Sequence, residues 1–286
     1  ANASSKVEVL RNYSEVSQLS GVTNNQDNVA INIKLKEGKE RFWFGEITAG
    51  KGLEDTFLAH PKVFYYSPKF SVNLITDVNN IGELPFTPRD FFNFTGGMTN
   101  FSRAGGTQFN ATNNSLGISL LQNNRAKAID TKFGAANFNY AATPALDLSG
   151  FAIYSYTGTL LETITARQFI VSNQMEQSTT NTNQKASLGL GKFSARYKPS
   201  SQLQWDYDVL LKQSSQEEER MLSSRALVNE DIVENNTQDP ITITQNTGLY
   251  YTLSDAHIFA FQGQHMYQKE DPFYNAVRTQ EPFNGV

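Results

Sequence analysis

The sequence predicts an all-β protein, an antiparallel transmembrane β-barrel. Three observations carry that reading. Apolar and polar residues alternate with a period of two along most of the chain, and helical periodicity is nearly absent. The alternating segments run about 10–14 residues, against about 5–6 for ordinary strands and about 9–11 for a tilted membrane-crossing strand. Aromatic residues gather beside the tight turns, where a ring with an apolar body and a polar tip suits a membrane interface.

Composition sets the frame. The 286 residues carry 24 Lys+Arg, 28 Asp+Glu and no Cys, a net charge of −4. No basic surface is available for nucleic acid, so none is expected as a partner. Without Cys there is no disulfide framework, thiolate metal site or Cys nucleophile. No run of about 18 apolar residues provides a membrane-spanning helix. The chain starts at Ala1 without a signal peptide, which reads as a processed chain or a fragment.

Five rows show the alternation most clearly. Phe70, Val72, Leu74, Thr76 and Val78 oppose Ser71, Asn73, Ile75, Asp77 and Asn79. Gly134, Ala136, Phe138 and Tyr140 form a second row, and Leu146, Leu148, Gly150, Ala152 and Tyr154 a third. Gly189, Gly191, Phe193, Ala195 and Tyr197 are the fourth; Leu203, Trp205, Tyr207, Val209 and Leu211 are the fifth, backed by Gln204, Asp206, Asp208, Leu210 and Lys212. None of the five rows holds a charge, whereas the residues behind them are mostly polar. A soluble sandwich would bury the apolar face against a second sheet; a barrel turns it to lipid. Segment length, aromatic placement and turn spacing favour the barrel.

The spacing predicts strands over 41–50, 56–66, 69–79, 91–103, 106–115, 130–142, 145–157, 185–198, 202–213, 241–253 and 256–268. Tight turns fall at 67–69, 103–106, 142–144, 198–201 and 254–255, and long polar loops over 79–90, 113–130, 157–184 and 213–240. Tight turns on one rim and long loops on the other match the periplasmic and extracellular ends of an outer-membrane barrel. Eleven strands, an odd and unclosed set, would leave raw edges in lipid, so the chain reads as part of a larger barrel.

Residues 1–40 differ. Val7–Arg11 and Val29–Lys36 are two short strand-like segments flanking a polar turn, followed by Gly38, Lys39 and Phe42-Trp43-Phe44. Their type, order and spacing resemble the end of the plug domain of TonB-dependent outer-membrane receptors. The family's Gly-Pro after the first segment is replaced by Asn12-Tyr13, and its Gly-Gly before the second by Asn28-Val29. The resemblance implies that 1–40 is the C-terminal end of a plug and 41–286 a partial barrel, about half of a roughly 22-stranded one with a plugged lumen. It further implies a Gram-negative outer-membrane location, contact with outer-membrane lipid, and TonB-driven uptake of a large or scarce nutrient such as an oligosaccharide, peptide or metal chelate. A surface lipoprotein is a further partner under this reading. The alternatives are a non-transporting barrel that scaffolds a surface complex, and a soluble glycan-binding β-sandwich.

No residue set points to an enzyme, and no cofactor is expected. Asp206 and Asp208 share one face about 7 Å apart, spacing that suits acid–base work, Ca²⁺ or a hydrated wall that Arg196 neutralises. His60, His257 and His265 are the only imidazoles. His257 beside Ser254-Asp255 is turn adjacency rather than triad geometry, and His257 and His265 stand about 26 Å apart on one strand, too far to share a metal. Glu217-Glu218-Glu219-Arg220 reads as a solvated surface or a lure for a cation. Asn235-Asn236-Thr237 fits either turn chemistry or glycan hydrogen bonding beside aromatic faces. Asn93-Phe94-Thr95 falls in a predicted strand and is composition rather than a glycosylation site. Gly96-Gly97, Gly105-Gly106 and Gly189/Gly191 are expected to relieve crowding or set bulges. The ligand-binding residues are not identified by the sequence.

Overall fold

The computed structural model describes residues 4–11, 29–35, 40–83, 126–171, 173–225, 230–254 and 256–278. Every regular element among them is a strand. β1 (Ser4–Arg11) and β2 (Val29–Leu35) form a separate antiparallel pair, with Val7 opposite Ile33 and Val9 opposite Ile31. The two segments expected near the N-terminus therefore pair as strands.

The remaining elements make one antiparallel sheet of eleven strands. They are β3 (Phe42–Lys51), β4 (Phe57–Tyr66), β5 (Phe70–Asn79), β6 (Ala128–Thr143), β7 (Leu146–Phe169), β8 (Gln174–Tyr197), β9 (Leu203–Arg225), β10 (Glu230–Gln238), β11 (Ile241–Ser254), β12 (His257–Lys269) and β13 (Pro272–Arg278). β10 and β11 both pair with β9, over its upper and lower parts, and are one lane interrupted at Asp239-Pro240. β13 and β12 are likewise one lane, interrupted at Glu270-Asp271 before Pro272. The two Asp-Pro breaks lie side by side, because Pro lacks the N–H a ladder needs; the Pro240 carbonyl still accepts from the Ser214 N–H at 3.1 Å.

Nine of the predicted strands are present, six of them within a few residues of both expected ends and three, β7, β8 and β9, extended by about a dozen residues at the end away from the tight turns. The segments 91–103 and 106–115 lie outside the described residues. β5 and β6 pair directly with each other, from Phe70–Tyr140 to Asn79–Thr131. The eleven strands found are thus not the eleven expected. The expected loops over 157–184 and 213–240 are mostly strand: β7 and β8 run 24 residues each and β9 runs 23. The β8 and β9 extensions are mostly polar on both faces, and the β7 extension scatters Leu160, Leu161, Ile164 and Phe169 among polar residues, which erases the alternation, while β-branched Thr residues keep the extended backbone favourable. The tight turns after β4, β6, β8 and β11 fall on one rim, as expected.

The two faces of the sheet differ sharply. The five apolar rows lie on the more exposed face, with Trp205 at 47% and Tyr154 at 53% exposure. Cross-strand register joins them into a continuous belt: Leu74 opposes Ala136, then Ala152, Gly191, Leu211 and Ile243. From β3 to β11 this belt carries no Asp, Glu, Lys or Arg between the tight-turn rim and Lys132, and on β12 the charge-free stretch ends one row lower, at Lys269. The lower margin is aromatic: Tyr65 and Phe70 are 6.2 Å apart, Phe70 and Tyr140 6.1 Å, and Tyr197 pairs with Trp205. At the upper margin Lys132 Nζ lies 5.2 Å from the Tyr156 ring. One row further, Asp130, Gly158, Lys185 and Glu217 stand in line. From Tyr140 to Lys132 is about 26 Å of strand, the order of the ~25 Å apolar band of an outer-membrane barrel.

The opposite face is the buried one, and it is less polar than expected. Phe133, Ala135, Phe151, Ile153 and Leu190 form an apolar cluster, each at most 7% exposed, with Ile75 and Leu210 packed on it. The alternation is therefore apolar on one face and mixed on the other.

Candidate functional site

Below the apolar cluster, toward the tight-turn rim, the buried face becomes polar. The three-residue turn after β4 sets Tyr66 opposite Ser71, and the register continues through Asn139, Ser149, Ser194, Asp208, Asn246 and Gln264. The next row toward the rim runs Asp147, Arg196, Asp206 and Gly248 to Gln262. One transverse row of hydroxyls and amides, interrupted by the Asp208 carboxylate, thus spans the sheet, with further charges beneath it.

Asp206 and Asp208 share this wall, as their spacing suggested, and both are 6% exposed. Each is engaged. Asp206 lies 3.4 Å from Arg196 Nε and accepts from Gln204 Nε2 at 2.8 Å. Asp208 accepts from Ser194 Oγ at 2.5 Å and lies 3.6 Å from Lys192 Nζ. The wall reading of this pair, with Arg196 as its counter-charge, is the one the contacts match.

At the β3–β4 end of the same wall four rings stack. Phe44 and Phe64 centroids are 4.8 Å apart, Phe42 and Tyr66 5.4 Å, and Phe44 and Tyr66 6.2 Å, with interplanar angles of 12–28°. Phe44 is 51% exposed. Alongside, a cavity of about 270 Å³ opens among Ser71, Asn139, Asp147, Ser149, Ser194 and Arg196. Asn73 Oδ1, Arg196 Nε, Gln204 Oε1, Asp206 Oδ1 and Asn246 Oδ1 are buried on this wall without a hydrogen-bond partner. Arg196 Nε and Asp206 Oδ1 face each other as the 3.4 Å ion pair, which leaves the amide oxygens of Asn73, Gln204 and Asn246 free to bond water or a solute.

The histidines separate. His60 Nδ1 lies 2.6 Å from Asp77 Oδ2 on β5, and Asn79 Nδ2 donates to Asp77 Oδ1 at 2.6 Å. Sequence reasoning missed this pair; the turn after β4, which places His60 opposite Asp77, was the available signal. Ser254 Oγ and His257 Nδ1 are 2.9 Å apart across the β11–β12 turn. His265 sits eight residues further along β12. Among the described residues no three His, Asp or Glu side chains gather around a point.

Outside the belt, the run Glu217–Arg220 is strand, not loop. Glu217 pairs with Lys185 at 3.8 Å, Glu218 accepts from Gln184 Nε2 at 2.6 Å, and Arg220 donates to Glu234 at 3.2 Å. A paired ladder of this kind is a solvated surface rather than a lure for cations. Asn235, Asn236 and Thr237 lie in β10, opposite Glu219, Glu218 and Glu217. The Arg225 side chain hydrogen-bonds Asp231 and holds its carboxyl below the usual range. Asn93, Gly96, Gly97, Gly105 and Gly106 lie outside the described residues. At Gly189 and Gly191 an added Cβ would stand 3.9 Å from its nearest neighbour, so neither relieves crowding. Gly150 does: its Cβ would come within 2.6 Å of the Lys192 carbonyl oxygen and 2.9 Å of the Phe138 ring.

No family model matches the sequence, and no curated protein matches it. Among solved structures the chain is similar to the CymD monoaromatic hydrocarbon channel, with 12% identity over 95% of this chain and 84% of that one. The TM-score is 0.18, so the superposition adds nothing to the pairing and burial described above.

Proposed function

We propose that this chain forms part of the wall of a Gram-negative outer-membrane β-barrel, with the exposed belt against lipid and the buried face toward the lumen. The observation that carries the reading is the uncharged exposed belt, which crosses every lane of the sheet and is bounded by aromatics below and by charge above. A soluble protein has no reason to leave such a belt open to water, whereas a barrel requires it.

The barrel's work is passage of a solute through its interior. We read the uptake as TonB-dependent, with β1–β2 as the end of a plug, on the resemblance of Val7–Arg11 and Val29–Lys36 to that family. No catalytic role is assigned, and no cofactor. Outer-membrane lipid and TonB are the partners this reading requires, and a surface lipoprotein fits the same setting.

Two experiments test it. The full-length protein should fractionate with outer membranes and show a heat-modifiable shift on gels; recovery in the soluble fraction would contradict the barrel. Solute uptake should cease when TonB is deleted; undiminished uptake would leave a barrel but remove energy coupling.

A further inference from the structure

We propose that the exposed face of β11 and β12 is a contact between two copies of the barrel, held by Gln245 and His265. The inference rests on the barrel reading above and concerns the belt rather than the lumen.

The belt is not uniform. One transverse row runs Val72, Phe138, Gly150, Phe193 and Val209, none with a polar side-chain atom, and then Gln245 and His265. Between the tight-turn rim and the row of Lys269, these two are the only amide and the only imidazole on the exposed face of the described lanes. They do not sit at a margin of the belt. Along β12, His265 is about 13 Å of strand from Lys269 above and about 20 Å from Phe259 below.

Both side chains carry unmet hydrogen-bonding capacity. Gln245 Oε1 accepts from Tyr207 at 3.1 Å. The Gln245 amide nitrogen and the exposed His265 ring have no partner among the described residues. Lipid tails offer neither donor nor acceptor, so an amide and an imidazole at this depth call for protein beside them.

Symmetry selects that protein. Two copies inserted the same way up are related by a two-fold axis along the membrane normal, so each residue meets its partner's surface at its own depth. Gln245 and His265 are direct antiparallel partners, with Cβ atoms ~4.5–5.5 Å apart, and so lie side by side at nearly one depth. An axis passing between them sets Gln245 against the partner's His265, and His265 against the partner's Gln245. The chemistry matches. The amide N–H donates to the free ring nitrogen, and the imidazole N–H donates to the second lone pair of Gln245 Oε1. Each copy thus offers what the other lacks, whereas nothing obliges an unrelated chain to carry this complement at this depth. Tyr207 and Tyr267 flank the pair in the rows below and above, and Tyr is a residue type that anchors contact surfaces.

The test is energy transfer between two fluorophore-labelled populations of the full-length protein in vesicles, read as lipid is added. Insertion is checked by the heat-modifiable shift on gels. The wild type should associate, and Gln245→Leu and His265→Leu should each weaken association by at least about tenfold. Both changes make the belt more apolar, so insertion persists. Val72→Leu, in the same row on β5, should leave association unchanged. In a background without other Cys, Tyr267→Cys should be joined to a second copy by a short bismaleimide in outer membranes. Inserted protein that stays monomeric, or whose association ignores both Leu variants, overturns the proposal and leaves the barrel standing. Cross-linking of Tyr267→Cys to a different protein overturns it in favour of that partner. Protein that never inserts overturns the barrel reading and the proposal together.

Discussion

Single residues show how tightly the sheet is drawn. Phe138 lies over Gly150 on the exposed face, and the Lys192 carbonyl approaches from the next strand. Gly150→Val should cost about 1–3 kcal/mol through forced strand separation, read as a lower urea midpoint for unfolding from vesicles; an unchanged midpoint would mean β7 and β8 pack more loosely than described. Trp205 donates to Thr247 at 2.9 Å and Tyr207 to Gln245 at 3.1 Å, so the ring tips are satisfied within the belt. Val209 has no such tip and faces the same side. Val209→Arg should weaken membrane folding by about 2–4 kcal/mol if it sits near the midplane. Folding at the wild-type midpoint would place Val209 on the other face. The five exposed rows were legible residue by residue, since a period of two assigns faces with no knowledge of partners. Pairs such as His60–Asp77 were not, because they depend on register, and register depends on a turn whose length the sequence leaves open by a residue.

Elements are bounded by different rules at their two ends. The tight-turn rim was legible because Ser-Pro-Lys and Thr-Pro-Ala sequences stop strands locally. The far ends were not, because β7, β8 and β9 continue about a dozen residues past the belt without a regular apolar–polar alternation. What holds them is pairing and charge: Lys127 with Glu162, Arg220 with Glu234, and Arg225 with Asp231. The carboxyl of Asp231 is depressed in the folded chain, chiefly by its hydrogen bond from Arg225. Its contribution is therefore present above the unfolded value of about 3.9 and is lost as pH falls through the lower folded value. Arg225→Gln should move the Asp231 titration upward in a carboxyl-resolved NMR or infrared measurement; no movement would assign the depression elsewhere. The apolar cluster on the buried face was also missed. Ile75 and Leu210 are each flanked by polar residues on their own face, Asn73 and Asp77 for one and Asp208 and Lys212 for the other, and only the sheet brings them to Phe133, Ile153 and Leu190.

At the scale of the whole molecule the sheet has a direction problem at its seam. β3 and β12 are its two margins, and both run away from the tight-turn rim. Joined to each other they would pair in parallel, whereas bacterial outer-membrane barrels close antiparallel with an even strand count. The barrel reading therefore requires an odd number of further lanes between them. The same reading requires that the two faces meet different solvents along the belt and the same solvent beyond it. These 286 residues hold no Cys, so a single Cys placed among them reports its own surroundings once any Cys outside them is replaced. The most direct measurement is to place one Cys at a time along β7, from Leu146 to Phe169, in the full-length protein in vesicles, and to label with a water-soluble maleimide. The account predicts that labelling alternates from Leu146 to Tyr156, with Leu148, Gly150, Ala152 and Tyr154 protected, and that the alternation ends beyond Gly158, where both faces label. Uniform labelling of those four exposed-face positions would put the belt in water and contradict the barrel.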